Sequence, residues 1–374
     1  MAIKTRRKLF LLLVLIFVIF SPLLIIYSLG YKINFSSGSL EKTGGIFLKS
    51  KTSRLSLFLN GTFTKETSLL SGGALLTKIK PGNYLLRLEK KEYRPWSKTV
   101  KVEEETVTEL RSILLFPEKI IQATSTREET EFLEKTLEAE KYNPSKTLAS
   151  GIKVELNKKE ELITKENSPA LLSSKVHSFE VLSDKIIFVD KNGFLAWLDP
   201  QEKKIEVIGR PGFYLKEKHF KFIKSERGMI AILDSLNGVF LVDDATNTIV
   251  TIDGDVKDMA FDEKGEKLLL TKKNSVSVLW LIDNQLQPFQ KKGAKEEILK
   301  YSSINIEEAK WFYADNLHII IRTPDGIFIT ELDGRGGRNT TELVTRRTDK
   351  IFTSPQTPNI IFFKKGKNWY KIEI

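Results

Sequence analysis

Apolar residues follow three different patterns along the chain. The first is an unbroken run, "LFLLLVLIFVIFSPLLIIYSLGY", from Leu9 to Tyr31, with no charge in its 23 residues. As a helix it would be about 34 Å long at 1.5 Å per residue, against a bilayer hydrocarbon core of about 30 Å. The run predicts a transmembrane helix over 9–31, with Pro22 tolerated inside it and Tyr27 and Tyr31 at the interface. Residues 1–8 form a short tail rich in Lys and Arg, which the positive-inside rule places in the cytoplasm, so everything after Lys32 lies outside. A cleaved signal peptide is the competing reading. The run is longer than an ordinary signal h-region, and no A-x-A cleavage site follows it.

The second pattern is strict alternation over residues 43–116. In "KPGNYLLRLEKKEYRPWSKTVKV", Lys80 to Val102, the residues Tyr84, Leu86 and Leu88 alternate with Leu85, Arg87 and Glu89. Beyond a charged tip, Trp96, Val100 and Val102 alternate with Ser97, Thr99 and Lys101. Period two on both arms predicts a hairpin with one face buried. Pro81-Gly82 and Asn60-Gly61 are turn dipeptides. Six such segments predict a small β-sandwich.

Residues 117–150 break the alternation. "TREETEFLEKTLEAEKY" is made of helix formers, with Glu131 and Lys135 spaced i,i+4. Thr126 or Ser125 is a candidate N-cap, with Glu129 placed for a capping box. The stretch reads as a linker carrying a short surface helix with a narrow apolar stripe of Phe132, Leu133 and Leu137.

The third pattern fills residues 151–374. Apolar runs come in pairs joined by tight turns at Asn192-Gly193, Asn237-Gly238, Asn274, Asp325-Gly326 and Gly366. The first two turns are 45 residues apart and the second and fourth 88 apart, or two steps of about 44. A period near 45 with three or four strands per unit marks a β-propeller, because one unit cannot bury both faces of its own sheet. The length allows about five blades. The incomplete first and last units are expected to close the ring together. A β-sandwich or β-solenoid is the alternative.

The fold class is therefore mainly β: a transmembrane helix, a sandwich and a propeller. Two resemblances extend this reading. Residues 43–116 resemble a PEGA domain, a small surface-associated sandwich of bacteria and archaea. The resemblance is carried by "GGIFLKS", by "LFLNG" at the Asp/Asn-Gly position, and above all by "KPGNYLLRLEKKEYRPWSKTVKV". The chain departs from that family at "SKTSRLS" in place of P-x-G-A, at "KETSLL" after the Asn-Gly turn, and at Glu92 where members carry glycine. The resemblance implies a spacer, adhesion or wall-binding module without enzymatic activity. "MAFDEKGEKLLLT" in turn resembles the strand-turn-strand of propeller repeats in exported bacterial proteins.

Composition adds little chemistry. The net charge is +11, of which the N-terminal Lys4, Arg6, Arg7 and Lys8 supply four, and elsewhere Lys and Glu are interspersed. That argues against a nucleic-acid partner, which would call for basic residues on one face. Without cysteine there is no disulfide, thiolate metal site or cysteine nucleophile. His177, His219 and His318 lie in separate repeats, with no metal-ligand spacing. "TIDGDVKDMAFDEKG" is acidic but puts Lys257 at the fifth position of a calcium loop and lacks the twelfth-position Glu. No cofactor or metal is expected.

Ligand contacts are assigned to Arg335 and Arg338 in "DGRGGRNTT", which suit a phosphate or sugar acid, and to Trp96, the tryptophan least embedded in an apolar strand. The expected function is a non-enzymatic, single-pass membrane protein whose propeller binds an envelope protein or wall polysaccharide. The alternative is a glycosidase-like hydrolase with two opposed carboxylates in the propeller channel, for which Asp190, Asp234 and Asp315 are available.

Overall fold

The computed structural model describes residues 3–28, 32–34, 39–139, 143–165, 170–216, 220–243 and 246–374. They divide into two compact units. One comprises residues 1–120, 285–289 and 333–339, and the other residues 121–284, 290–332 and 340–374.

The first unit opens with helix α1, Ile3–Ser28, which contains Pro22. Among the described residues no helix is long and apolar enough to cross a membrane; the side chains of α1 are described over 6–22, 24 and 25. After a short strand pair, Lys32–Asn34 with Ser39–Glu41, comes a sandwich of two sheets. A three-stranded sheet holds Gly44–Ser50 between Gly73–Ile79 and Val107–Ile113, and its pairing with Val107–Ile113 is parallel. A four-stranded antiparallel sheet runs Thr62–Glu66, Ser56–Leu59, Gly82–Glu89, Trp96–Val102. The strand Thr62–Glu66 is one more than the alternation predicts, because its side chains are mostly exposed and carry no apolar period.

Ile46, Leu48, Leu57, Leu86, Leu88, Trp96, Val100 and Val102 fill the space between the sheets. Burying such a side chain stabilises the fold by about 1.5–3 kcal/mol each. The Asn60-Gly61 turn has the two consecutive positive φ angles, 49° and 80°, that a two-residue hairpin matched to sheet twist requires. Glu92 adopts φ 69°, so the backbone keeps the glycine conformation with a glutamate side chain.

The second unit is a ring of successive four-stranded antiparallel sheets, six among the described residues rather than about five. Blade 1 contains Ser145–Thr147, Lys153–Leu156, Leu162–Thr164 and Leu171–Ser173; blade 2 contains Val176–Leu182, Lys185–Asp190, Leu195–Asp199 and Lys204–Gly209. Blade 3 contains Lys221–Lys224, Met229–Leu233, Val239–Asp243 and Thr248–Asp253; blade 4 contains Asp258–Phe261, Lys267–Thr271, Ser275–Trp280 and Lys295–Lys300. Blade 5 contains Glu308–Trp311, His318–Thr323, Gly326–Glu331 and Thr340–Val344. Blade 6 takes Lys350–Phe352, Ile360–Lys365 and Asn368–Glu373 from the end of the chain and Ala123–Thr124 from before blade 1.

The closing strand therefore comes from residues 123–124, not from the segment after Gly151, and blade 1 is complete because Ser145–Thr147 supplies its first strand. The middle strands read as continuous apolar runs because both faces are covered. In blade 2, Ile186, Phe188, Ala196 and Leu198 pack with Val154, Leu156 and Leu162 of blade 1. The intervening Ile187, Val189, Leu195 and Trp197 pack with Phe222, Ile230, Ile232 and Phe240 of blade 3.

Helix α2, Arg127–Ala139, belongs to this unit. Thr126 caps it: Glu129 N–H donates to Thr126 Oγ1 at 3.2 Å, and Thr126 N–H donates to Glu129 Oε2 at 2.8 Å, a capping box. Leu133 is fully buried against Phe362 and Trp369.

Candidate functional site

The first strand of every blade faces one central cavity of about 1170 Å³. Pleating sends alternate residues of each strand inward. Lys146, Glu180, Lys221, Asp258, Glu308, Lys310 and Lys350 line the cavity, with Ile223, Ala260 and Phe352 among them. Leu137 and Glu138 of α2 also face it.

The charges are arranged as pairs. Lys146 Nζ lies 2.5 Å from Glu180 Oε2. Lys221 Nζ lies 2.5 Å from Asp258 Oδ1, and Lys310 Nζ lies 3.5 Å from Asp258 Oδ2. Arg322 holds Glu308 at 2.8 Å and also pairs with Glu307. Lys257 Nζ donates to the carbonyl of Glu307 at 2.8 Å. Burial alone would raise the Asp258 carboxyl, but Lys221 and Lys310 outweigh it and hold the group below the usual carboxylate range. Burial pushes the Tyr313 phenol up, reinforced by Asp262 and Glu263 against the opposing Lys310. The cavity is thus open and polar, with its lining lysines and carboxylates paired in contact.

The residues proposed from sequence lie elsewhere. Trp96 is 5% exposed in the sandwich core, so its ring is not presented for stacking. Arg335 forks onto Asp333 at 2.7 Å and 3.0 Å, donates to Gln287 Oε1 at 2.7 Å and to the Glu109 carbonyl at 2.6 Å. Burial would raise the Asp333 carboxyl, but Arg335 and Lys98 pull it down. The Arg338 guanidinium lies against Gly334, with its atoms 2.8–3.1 Å from where a Cβ there would sit. Both arginines are structural members of the first unit.

Asp190 accepts from the amides of Asn192 and Phe194, Asp234 from those of Tyr214, Leu236 and Gly238, and Asp315 from that of Leu317. All three cap turns, and none lines the cavity. His177 stacks edge-on against Phe220 and His318 is bonded to Asp315 at 2.8 Å, while His219 lies outside the described residues. Three of the five carboxylates in the acidic stretch weighed for calcium are clasped by lysine: Asp253 by Lys272 and Lys295, Asp258 by Lys221 and Lys310, Asp262 by Lys267. Trp280 and Trp311 flank Lys267, whose ammonium lies 5.3 Å and 5.7 Å from their ring centroids.

Missed from sequence were the cavity residues themselves. Glu180, Asp258, Lys310 and Lys350 lie on the first strand of a blade, whereas the turn dipeptides mark the hairpin between the second and third. They lie 6 to 11 residues ahead of the second strand's first fully buried apolar residue (Ile186, Leu268, Ile319 and Ile361), so no fixed count along the sequence locates them.

Comparison with known proteins bears on the first unit. Residues 73–114 match the PEGA domain family. This segment is a PEGA domain. Its match covers the Gly73–Ile79, Gly82–Glu89, Trp96–Val102 and Val107–Ile113 strands, so both sheets of the sandwich contain PEGA strands. No curated protein matches the chain.

Among solved structures, the chain is similar to the extracellular domain of a protein of B. thetaiotaomicron described as a hybrid two-component system, at 10% identity and a TM-score of 0.37, covering 61% of this chain and 32% of that one. It is also similar to the Cps50 (Swd1) β-propeller domain of Myceliophteria thermophila, at 9% identity and a TM-score of 0.38, covering 78% of this chain and 93% of that one. The chain spans about a third of the length of the first of these. The propeller assignment rests on the sheet order, and the PEGA domain on its sequence match.

Proposed function

We propose that this is a non-enzymatic, membrane-anchored extracytoplasmic protein whose propeller binds an envelope protein or wall polysaccharide at its central cavity. The anchor is the uncharged run 9–31, preceded by basic residues that hold the N-terminus in the cytoplasm. The exposed apolar side chains of α1 from Leu9 to Phe20 support it. The PEGA domain lies between anchor and propeller along the chain and serves as a spacer.

The observation that carries the binding reading is the open cavity with its contact-paired charges. Such a surface offers hydrogen bonds and alternating charge to a partner and holds its geometry without one. Beside an ionised carboxylate such as Asp258, which Lys221 and Lys310 hold below the usual range, a glycosidase would need a second cavity carboxyl held protonated.

Crosslinking from membranes tests the reading. A partner captured by the wild-type chain should be lost in a Lys350→Glu, Lys146→Glu double variant, which reverses two cavity charges. Equal capture by both would remove the cavity as the binding site.

A further inference from the structure

The outermost strands of the blades differ in what they expose. In blades 4 and 5 the apolar residues of the last strand are buried, as Ile298, Leu343 and Val344 are, or half-buried, as Leu299 is. In blade 2 the last strand, Lys204–Gly209, leaves Ile205 46% and Val207 59% exposed. The register explains why. Ile205 pairs with Leu198 and Val207 with Ala196, so both lie on the face that packs against blade 1. The last strand of blade 1, Leu171–Ser173, is only three residues long. The strand is also a sheet edge, with backbone groups on its outer side that no strand pairs among the described residues. An exposed edge with an apolar face is a template for another strand.

The charges on this strand specify the partner. Lys204 and Glu206 flank Ile205, and the order Lys-Ile-Glu is self-complementary under a two-fold axis. We propose that a second copy of this chain pairs with the blade 2 edge, antiparallel and centred on Ile205, to form a symmetric dimer. In that register Ile205 faces Ile205 of the second copy. Lys204 of each copy faces Glu206 of the other, giving two cross-strand ion pairs on one face and an apolar pair on the opposite face. Lys204 makes no ion pair with a described residue of its own chain. Glu206 takes one hydrogen bond, from Asn247 at 3.1 Å, through Oε1 and keeps Oε2 for the second copy.

The absence of cysteine makes the test clean. The full chain in detergent, carrying Ile205→Cys, should form an intermolecular disulfide under mild oxidation, because facing residues in an antiparallel pair lie about 4.5–5.5 Å apart at Cα. Val250→Cys, on the exposed last strand of blade 3, should form one at least tenfold more slowly. Separately, Lys204→Glu should weaken dimerisation roughly tenfold by sedimentation velocity, since like charges then face each other twice. The double variant Lys204→Glu, Glu206→Lys should restore it. A wild-type chain monomeric at tens of micromolar, equal crosslinking at 205 and 250, or no rescue in the double variant would each overturn the proposal.

Discussion

Thr124 pairs with Tyr370, and with this contact the propeller closes. The two residues are separated by the entire sequence of blades 1 to 5. Ser125 N–H extends the pairing to the Trp369 carbonyl at 3.0 Å, and helix α2 then folds onto the same blade. Glu134 accepts from Trp369 Nε1 at 2.8 Å and Lys364 Nζ at 2.6 Å, and Glu129 from Lys371 Nζ at 2.6 Å. The closing strand is only two residues long, so α2 carries much of the closure.

Leu133 is the apolar anchor of that helix, fully buried with Phe362 and Trp369. Leu133→Ala should lower the unfolding free energy of the propeller by about 2–4 kcal/mol, from lost transfer energy plus a cavity. Thermal unfolding followed by tryptophan fluorescence reads this directly. A change below about 1 kcal/mol would show that the helix contributes little to closure.

Asp258 predicts a pH signature. A carboxylate whose folded pKa lies below its unfolded value stabilises the fold above the unfolded pKa, about 3.9, and loses that stabilisation as pH falls through the folded value. Asp258→Asn should cost about 1–3 kcal/mol at pH 7, and the gap to wild type should narrow between pH 4 and pH 3. Urea unfolding at several pH values measures it. A gap that stays constant down to pH 3 would mean that the lysine pairs are not its source.

Gln287 completes the free edge of the PEGA sandwich. Its Oε1 accepts from Glu109 N–H at 3.0 Å and its Nε2 donates to the Val107 carbonyl at 2.8 Å, the pattern a neighbouring strand would offer. Gln287→Ala should speed hydrogen exchange at the Glu109 amide at least tenfold, while amides of Ile46 and Leu48 in the central strand keep their protection. Unchanged exchange at Glu109 would show that the side chain does not protect this edge.

Glu92 sits at φ 69° in the turn before Tyr93. A side chain in this region costs about 1–2 kcal/mol, partly offset in a glycine variant by the greater freedom of its unfolded chain. Glu92→Gly should therefore stabilise the PEGA domain by up to about 1 kcal/mol, seen as a higher urea midpoint. A lower midpoint would mean that contacts of the glutamate outweigh its backbone strain.

Much of the fold was legible in the residue pattern. Alternation located the PEGA sandwich, and the Thr126–Glu129 capping box was visible in the sequence because its spacing is purely local. Blade counting fell short for a local reason too. The blade 1 hairpin turns through "NKKE", where Glu160 rather than glycine adopts the positive φ of 64°, so no turn dipeptide marks it. The closing strand at Ala123–Thr124 has no apolar period to announce it and is defined by a partner almost 250 residues away. The cavity was hidden for the same reason. Lys221, Asp258 and Lys310 are ordinary surface-type residues until the ring brings three first strands together. Arg335 and Arg338 stood out because they cluster in sequence, yet that clustering serves a structural loop.

The proposed anchorage by residues 9–31, with the PEGA domain and propeller outside, is open to a direct test. Single cysteines introduced by Thr5→Cys and Ser150→Cys into the cysteine-free chain test it, using a membrane-impermeant maleimide on intact cells or spheroplasts. Ser150→Cys should be labelled at once and Thr5→Cys only after permeabilisation, with the chain in the membrane fraction. Labelling of Thr5→Cys in intact cells, or protection of Ser150→Cys, would contradict it.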